Sequence, residues 1–203
     1  MAKANHDLFM YMSIKDKKLL YHLTSLENFE SILSYGLLAR NDIERFDDVA
    51  DSGIINFRRE NNLTRYVPFH FFANNPFDGR VQKDFPDKEF IYICIYREFA
   101  KSNKFSIIPK HPRAIKPLVL YSYTEGYEII EWDIMDKRDY LDENCRHICM
   151  AECLSPNKIN HNHFSHVYVR NEEIKSYIDQ LCLNILQYPP TFRVNVNASM
   201  FVD

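Results

Sequence analysis

Glycine is scarce: the 203-residue chain has four, Gly36, Gly53, Gly79 and Gly126. That excludes the glycine-rich loops that let backbone amides close around phosphate in P-loop and Rossmann sites. A basic surplus is also missing, since 25 Lys and Arg stand against 28 Asp and Glu, for a net charge of −3. Duplex-DNA binders usually carry excess positive charge, so any nucleic-acid contact is expected to be local. No apolar run approaches the ~18 residues of a membrane span. Residues Met1 to Lys18 lack an apolar stretch followed by a cleavage site. The five cysteines, Cys94, Cys145, Cys149, Cys153 and Cys182, form no CxxC pair. These absences predict a reduced, cytoplasmic protein with free thiols and no membrane partner.

What the chain does have is a large apolar and aromatic content, 46% and 14%, with 26% charged residues. Residues 1–203 are therefore expected to form one globular domain, with 1–18 as a polar N-terminal arm. Leu19 to Thr24 reads as a short strand, and Leu26, Phe29, Ile32 and Leu33 follow helical spacing up to Gly36. Residues 40–66 form a long polar excursion with a short helix, the kind of insertion that often carries function. Tyr66 to Phe72 is strand-like, Asn74 to Gly79 a turn or loop, and Phe90 to Tyr96 the clearest buried strand. Phe105 to Ile108 and Leu118 to Tyr121 are weaker strands around a proline-rich connection. Ile129 to Ile134 reads as helical, continuing toward Tyr140. Glu172 to Tyr188 is an amphipathic helix, followed by a last strand at Phe192 to Val196. Many short strands without regular βαβ alternation predict an α+β fold.

Three places can carry chemistry. His22 and Thr24 are two apart on a strand, so they share a face and can together hydrogen-bond a ribose or an amide. The plain alternative is a partly buried histidine beside a helix cap. Arg58 and Arg59 offer guanidinium forks suited to phosphate or planar groups, although surface arginine pairs are mostly solvated charge. Glu152 lies in the apolar run Ile148 to Leu154, where a carboxylate is costly unless it meets solvent, a partner or a site. Cys145, Cys149 and Cys153 recur every four residues near several histidines, but structural zinc sites favour tighter pairs, so no metal is expected. Nothing in the sequence marks one thiol as a nucleophile.

In order, Tyr21-His22-Leu23-Thr24, Glu27-Asn28-Phe29, Ser31-Ile32-Leu33 and Gly36-Leu37-Leu38 resemble the opening of the DarT family, toxins that ADP-ribosylate DNA. Ile55 to Arg59, ending in a double arginine, resembles a further family segment. Tyr66-Val67-Pro68-Phe69-His70-Phe71 is similar to the family's Y-V-P-F-Y-F strand, with Asn75-Pro76 in the loop after it. Trp132-Asp133 and Tyr140 fall where the family has a tryptophan-containing helix. Ala151-Glu152-Cys153-Leu154 resembles the segment that carries the catalytic glutamate. The resemblance covers roughly residues 19–170. The departures are His70 for tyrosine, Phe77 for methionine and Cys153 for an aromatic residue.

The resemblance implies an ADP-ribosyltransferase-like core, a split, twisted β-sheet with flanking helices that holds NAD in its cleft. It implies Glu152 and one arginine of the Arg58-Arg59 pair, aligned here as Arg59, as catalytic residues. His22, Thr24, Asn28, Phe69, Phe71 and Arg58 would bind the dinucleotide, with the phenylalanine rings stacking on nicotinamide. It implies transfer of ADP-ribose to thymine or guanine of single-stranded DNA, and a macrodomain antitoxin as partner. RNA or protein as acceptor, or a non-catalytic binding module, are the alternatives. Positive charge develops on the ribose as the glycosidic bond breaks, which a carboxylate in a water-poor cleft stabilises. An unpaired base is reachable without the cost of flipping. Lys101, Lys104, Lys110, Arg113 and Lys116 form a scattered basic stretch outside the expected site.

Overall fold

The computed structural model describes residues 12–44, 46–49 and 52–202. Most of the predicted N-terminal arm and four further positions, 45, 50, 51 and 203, lie outside the described residues. Strands β1 (Leu19–Ser25), β2 (Val67–His70), β3 (Phe90–Tyr96), β4 (Ser106–Ile108), β5 (Tyr121–Ser122), β6 (Glu152–Ser155), β7 (His166–Val169) and β8 (Arg193–Val196) join in one open sheet. Their order is β5-β4-β6-β2-β1-β3-β7-β8. All neighbours run antiparallel except β7 and β8, which are parallel. The fold is the mixed arrangement that the irregular strand spacing predicted.

One seam in the sheet is weakly joined. β1 pairs with β3 at all seven of its residues, yet with β2 only through Tyr21 opposite His70. The sheet is nonetheless continuous, so the expected split is reduced to a weak seam. Backbone groups freed at such a seam need other partners. His22 supplies one, its Nδ1–H donating to the Pro68 carbonyl at 2.8 Å.

Alternation along the strands sends Phe69, Ile91, Ile93, Ile95, Ile107, Cys153, Val167 and Val169 into the main core. Helices α1 (Phe29–Tyr35) and α8 (Glu172–Leu186) cover one part of that face. α8 buries Ile174, Ile178 and Cys182, a stripe four residues apart. α1 buries Phe29, Ile32 and Leu33 and ends at Gly36, whose φ of 90° few other residues adopt. α4 (Arg97–Ser102), α5 (Tyr123–Ile129), α6 (Trp132–Lys137) and α7 (Glu143–Ile148) complete the covering on this chain's β4–β6 side, with Trp132, Met135, Cys145 and Ile148 reaching the same core. Arg97 is buried without a carboxylate partner among the described residues. It donates to the carbonyls of Lys15, Leu19 and Phe71, between the rings of Phe71 and Trp132.

On the opposite face, α2 (Ser52–Glu60) and α3 (Pro76–Asp84) flank the seam. Phe57 of α2 packs with Leu63, Ile108 and Leu154. Val81 of α3 packs with Phe90, Tyr92, Cys94 and Phe201.

Several expectations change. The segment Asn74 to Gly79 largely opens α3 rather than forming a loop: Asn75 accepts from the amides of Phe77 and Asp78, and Pro76 takes the first helical position. The helix expected from Ile129 toward Tyr140 is confined to α6, Trp132–Lys137, because Ile130 and Glu131 leave helical geometry and Arg138 turns left-handed, while α5 before it was not expected. Only Tyr121 of the Leu118–Tyr121 strand enters the sheet. The cysteine stripe does not form, since α7 ends at Ile148 and Cys153 lies in β6.

Gly126 of α5 packs flat on β4, where an added Cβ would meet the Ile107 Cβ at 2.5 Å. Gly126→Ala should therefore push helix and strand apart and lower stability by about 1–3 kcal/mol, despite alanine's better helix propensity. Urea unfolding of the two proteins tests this; a stabilised variant would contradict the packing described.

Candidate active site

A cleft opens at the weak seam. It is lined by β1, β2, β6, α2, the start of α3, the turn at His111–Arg113 and the segment that follows α1. Glu152 enters it by alternation. It begins β6, paired with His70 on one side and Ile108 on the other, so its neighbours Ala151 and Cys153 face the core and its carboxylate faces the cleft.

Arg58 meets that carboxylate. Its Nη1 lies 2.9 Å from Oε1 and 2.8 Å from Oε2 of Glu152. The side chains are only 12% and 9% exposed. The second guanidinium nitrogen, Nη2, is buried and has no hydrogen-bond partner among the described residues. A buried donor without an acceptor is costly. The position suits an oxygen-rich ligand.

His22 and Thr24 also line the cleft. Burial pushes the His22 imidazole down to about 4, although its bond to Pro68 favours the proton. With Nδ1–H committed to that carbonyl, Nε2 of the neutral ring is an acceptor. Asn28 donates to Thr24 Oγ1 at 3.2 Å. It also fastens the segment after α1, donating to the Asp47 carbonyl at 3.0 Å and accepting from the Asp47 amide at 2.7 Å. Asp47 is held again by Lys88 Nζ at 2.7 Å, and Arg40 pairs with Asp48 beneath the ring of Phe46.

Five of the expected residues, His22, Thr24, Asn28, Arg58 and Glu152, thus line one cleft. Three do not. Arg59 is turned away and bonds Asn56 Oδ1 at 3.3 Å, because one residue along a helix rotates the side chain by about 100°. The arginine brought to the glutamate is Arg58, not Arg59. Phe69 and Phe71 are 0% and 1% exposed in the core, on the side of β2 opposite His70, so neither presents a ring for stacking in the cleft.

Two cleft residues had no distinguishing signal in the sequence. His111 sits in the proline-rich connection, its ring stacked on His147. Burial pushes its imidazole down to about 4, against the pull of Glu152. Asp78 looks like an ordinary residue of a helix's first turn, but it is 1% exposed and burial pushes its carboxyl up to about 6. Among the described residues no group of three or more His, Cys, Asp or Glu converges as a metal site. All five cysteines are free and buried. No helix among the described residues is long and apolar enough to cross a membrane.

Comparison with known proteins gives the following. The profile of the family described as ssDNA thymidine ADP-ribosyltransferase, DarT, matches residues 21–201. The fold is similar to Thermus sp. 2.9 DarT in complex with ADP-ribosylated ssDNA, with TM-score 0.78 and 16% identity, covering 91% of this chain and 96% of that one. The same protein in complex with NAD+ gives 0.74 and 14% identity, over 92% and 98% of the two chains. Thermosipho africanus DarTG in complex with ADP-ribose gives 0.67 and 21% identity, over 91% of this chain and 51% of that one. No curated protein sequence matches.

The two depressed histidines of the cleft set a direction for its acid sensitivity. A ring that titrates near 4 when folded and near 6.5 when unfolded binds its proton later in the folded state. Stability should then be full above about pH 6.5 and fall as pH drops toward 4. Asp78, raised to about 6, works in the opposite sense over the same range. His111→Asn should flatten the acid loss, and Asp78→Asn should steepen it, in urea midpoints measured across this window. Parallel curves for all three proteins would contradict these assignments.

Proposed function

The chain belongs to the DarT family of ssDNA thymidine ADP-ribosyltransferases, and from that premise we propose how its cleft performs the reaction. The proposed substrates are NAD and a single-stranded DNA segment presenting an unpaired thymine. NAD supplies the ADP-ribosyl group and the nicotinamide leaving group.

The observation that carries this reading is the contact of Arg58 with both oxygens of Glu152 in a cleft that His22 and Thr24 also line. The residues suit a dinucleotide. Arg58 Nη2 has a proton to donate and no partner among the described residues, Thr24 offers a hydroxyl, and His22 Nε2 offers an acceptor to a sugar hydroxyl. Glu152 accepts from a ribose hydroxyl and places its negative charge where positive charge grows on the sugar. Water-poor surroundings make that charge more effective than it would be in bulk solvent. Arg58 fixes the carboxylate's direction before substrate arrives. The segment Phe46–Val49, fastened by Asn28 and Lys88, closes one wall of the cleft against water.

Membership of this family supports a toxin role, a cytoplasmic site of action and a macrodomain antitoxin that removes the modification. The likeness to the DarTG protein points the same way.

The test is incubation with NAD and a thymine-containing oligonucleotide, read by gel retardation and mass spectrometry of the adduct. Glu152→Gln keeps the shape of the side chain and should lower transfer by about 10²–10³-fold or more. Arg58→Ala should lower it about 10²-fold or more, whereas Arg59→Ala should stay within about twofold of the parent. Equal losses for the two arginine variants would remove the role given to Arg58. An unmodified oligonucleotide with folded protein would remove the DNA reading itself.

A further inference from the structure

The cleft contains a second pair of groups that the mechanism above leaves unused. His70 ends β2 directly opposite Glu152, and Asp78 stands in the first turn of α3. Both line the cleft, at 7% and 1% exposure. His70 Nδ1–H donates to the Ala151 carbonyl at 3.0 Å, a bond that ties its ring to the β2–β6 ladder. Nε2 is then the ring atom with a lone pair to offer.

Asp78 is half satisfied. Its Oδ2 accepts from Asn75 Nδ2 at 2.7 Å and from the Tyr92 hydroxyl at 3.1 Å. Its Oδ1 is buried with no hydrogen-bond partner among the described residues. An orphaned carboxylate oxygen in a closed site costs free energy that a proton or cation beside it would recover. The His70 ring is close enough that its charge favours ionised Asp78. Phe77 packs against the same ring, centroids 5.7 Å apart, and limits its movement.

Transfer to thymine must dispose of a proton. Within a strand, N3 is the only ring nitrogen of thymine that carries hydrogen, and an imide N–H is a poor nucleophile until that hydrogen leaves. The groups surrounding His70 are Glu152 from β6, Arg58 from α2, His22 from β1, Asp78 from α3, and His111 and Arg113 from the proline-rich turn. Glu152 has both oxygens engaged by Arg58. His22 and His111, pushed down by burial, hold protons poorly. The arginines only donate.

We propose that His70, backed by Asp78, is the base that takes the N3 proton of the target thymine. This rests on the DNA reading above. In the step, N3 bonds to the anomeric carbon of the ADP-ribosyl group. The bond from that carbon to nicotinamide breaks, and its electron pair leaves with nicotinamide. The N3 proton passes to Nε2 of His70. The imidazolium so formed keeps its Nδ1–H on Ala151 and gives Asp78 the cationic neighbour that its free oxygen lacks.

The experiment compares two single-stranded oligonucleotides, one with thymine and one with 5-fluorouracil, whose N3–H is more acidic, over a range of pH. His70→Gln should slow transfer to thymine by about 10²–10⁴-fold. On 5-fluorouracil the loss should shrink by about tenfold or more, and on both bases it should shrink as rising pH ionises N3 without help. Asp78→Asn should show the same pattern with a smaller loss, about tenfold. Rescue by the acidic base also shows that the variants are folded. Losses equal on the two bases at every pH, or no loss, overturn the proposal. Wild-type protein that leaves thymine untouched overturns the DNA reading instead.

Discussion

A single guanidinium nitrogen placed between two carboxylate oxygens organises this molecule. Arg58 and Glu152 are 94 residues apart and come from different layers, a surface helix and a central strand. Every residue of β6 is buried, and the Glu152 side chain keeps only 9% exposure at the cleft. An uncompensated charge there would be costly, and Arg58 offsets it. In doing so it draws α2, which buries no residue fully, down over the sheet. The excursion of residues 40–66 thereby gains a fixed point, and the cleft gains a wall. Since Arg58 bonds through Nη1 alone among the described residues, the same side chain keeps a donor for whatever enters.

The seam between β1 and β2 explains why the cleft is here. A fully paired sheet has no room between strands for a ligand's polar groups. One paired position leaves strand edges to be satisfied by side chains, and His22 commits its Nδ1–H to the Pro68 carbonyl across the seam, while His70 commits its own to the Ala151 carbonyl on the β6 side of β2. Two imidazoles are thus held in one tautomer by backbone, each with its other nitrogen an acceptor.

Much of this was legible in the sequence. β3 announced itself by seven β-branched, aromatic or thiol residues in a row, and α8 by its four-residue spacing. Glu152 stood out because a carboxylate in an apolar strand has to be explained. His22 and Thr24 followed from the two-residue period of a strand. The choice between Arg58 and Arg59 was not legible, because it depends on where α2 rests, which long-range packing of Phe57 decides. Phe69 and Phe71 were misplaced for a related reason: alternation shows that they share a face, not which face is the core. Asp78 and His111 gave no signal because burial gives them their interest, and burial is a property of the fold.

Arg97 has a consequence for how the protein responds to its medium. Its charge is met by three carbonyl dipoles and two ring faces instead of by a carboxylate. Interactions of that kind, buried and without a mobile counter-charge, are little affected by dissolved salt. Contacts to a nucleic-acid backbone weaken steeply with ionic strength. The joint that binds the start of β1 to β2 and α4 should therefore hold at salt concentrations that strip a DNA strand from the surface, so that loss of binding at high salt reports on the ligand and not on the scaffold.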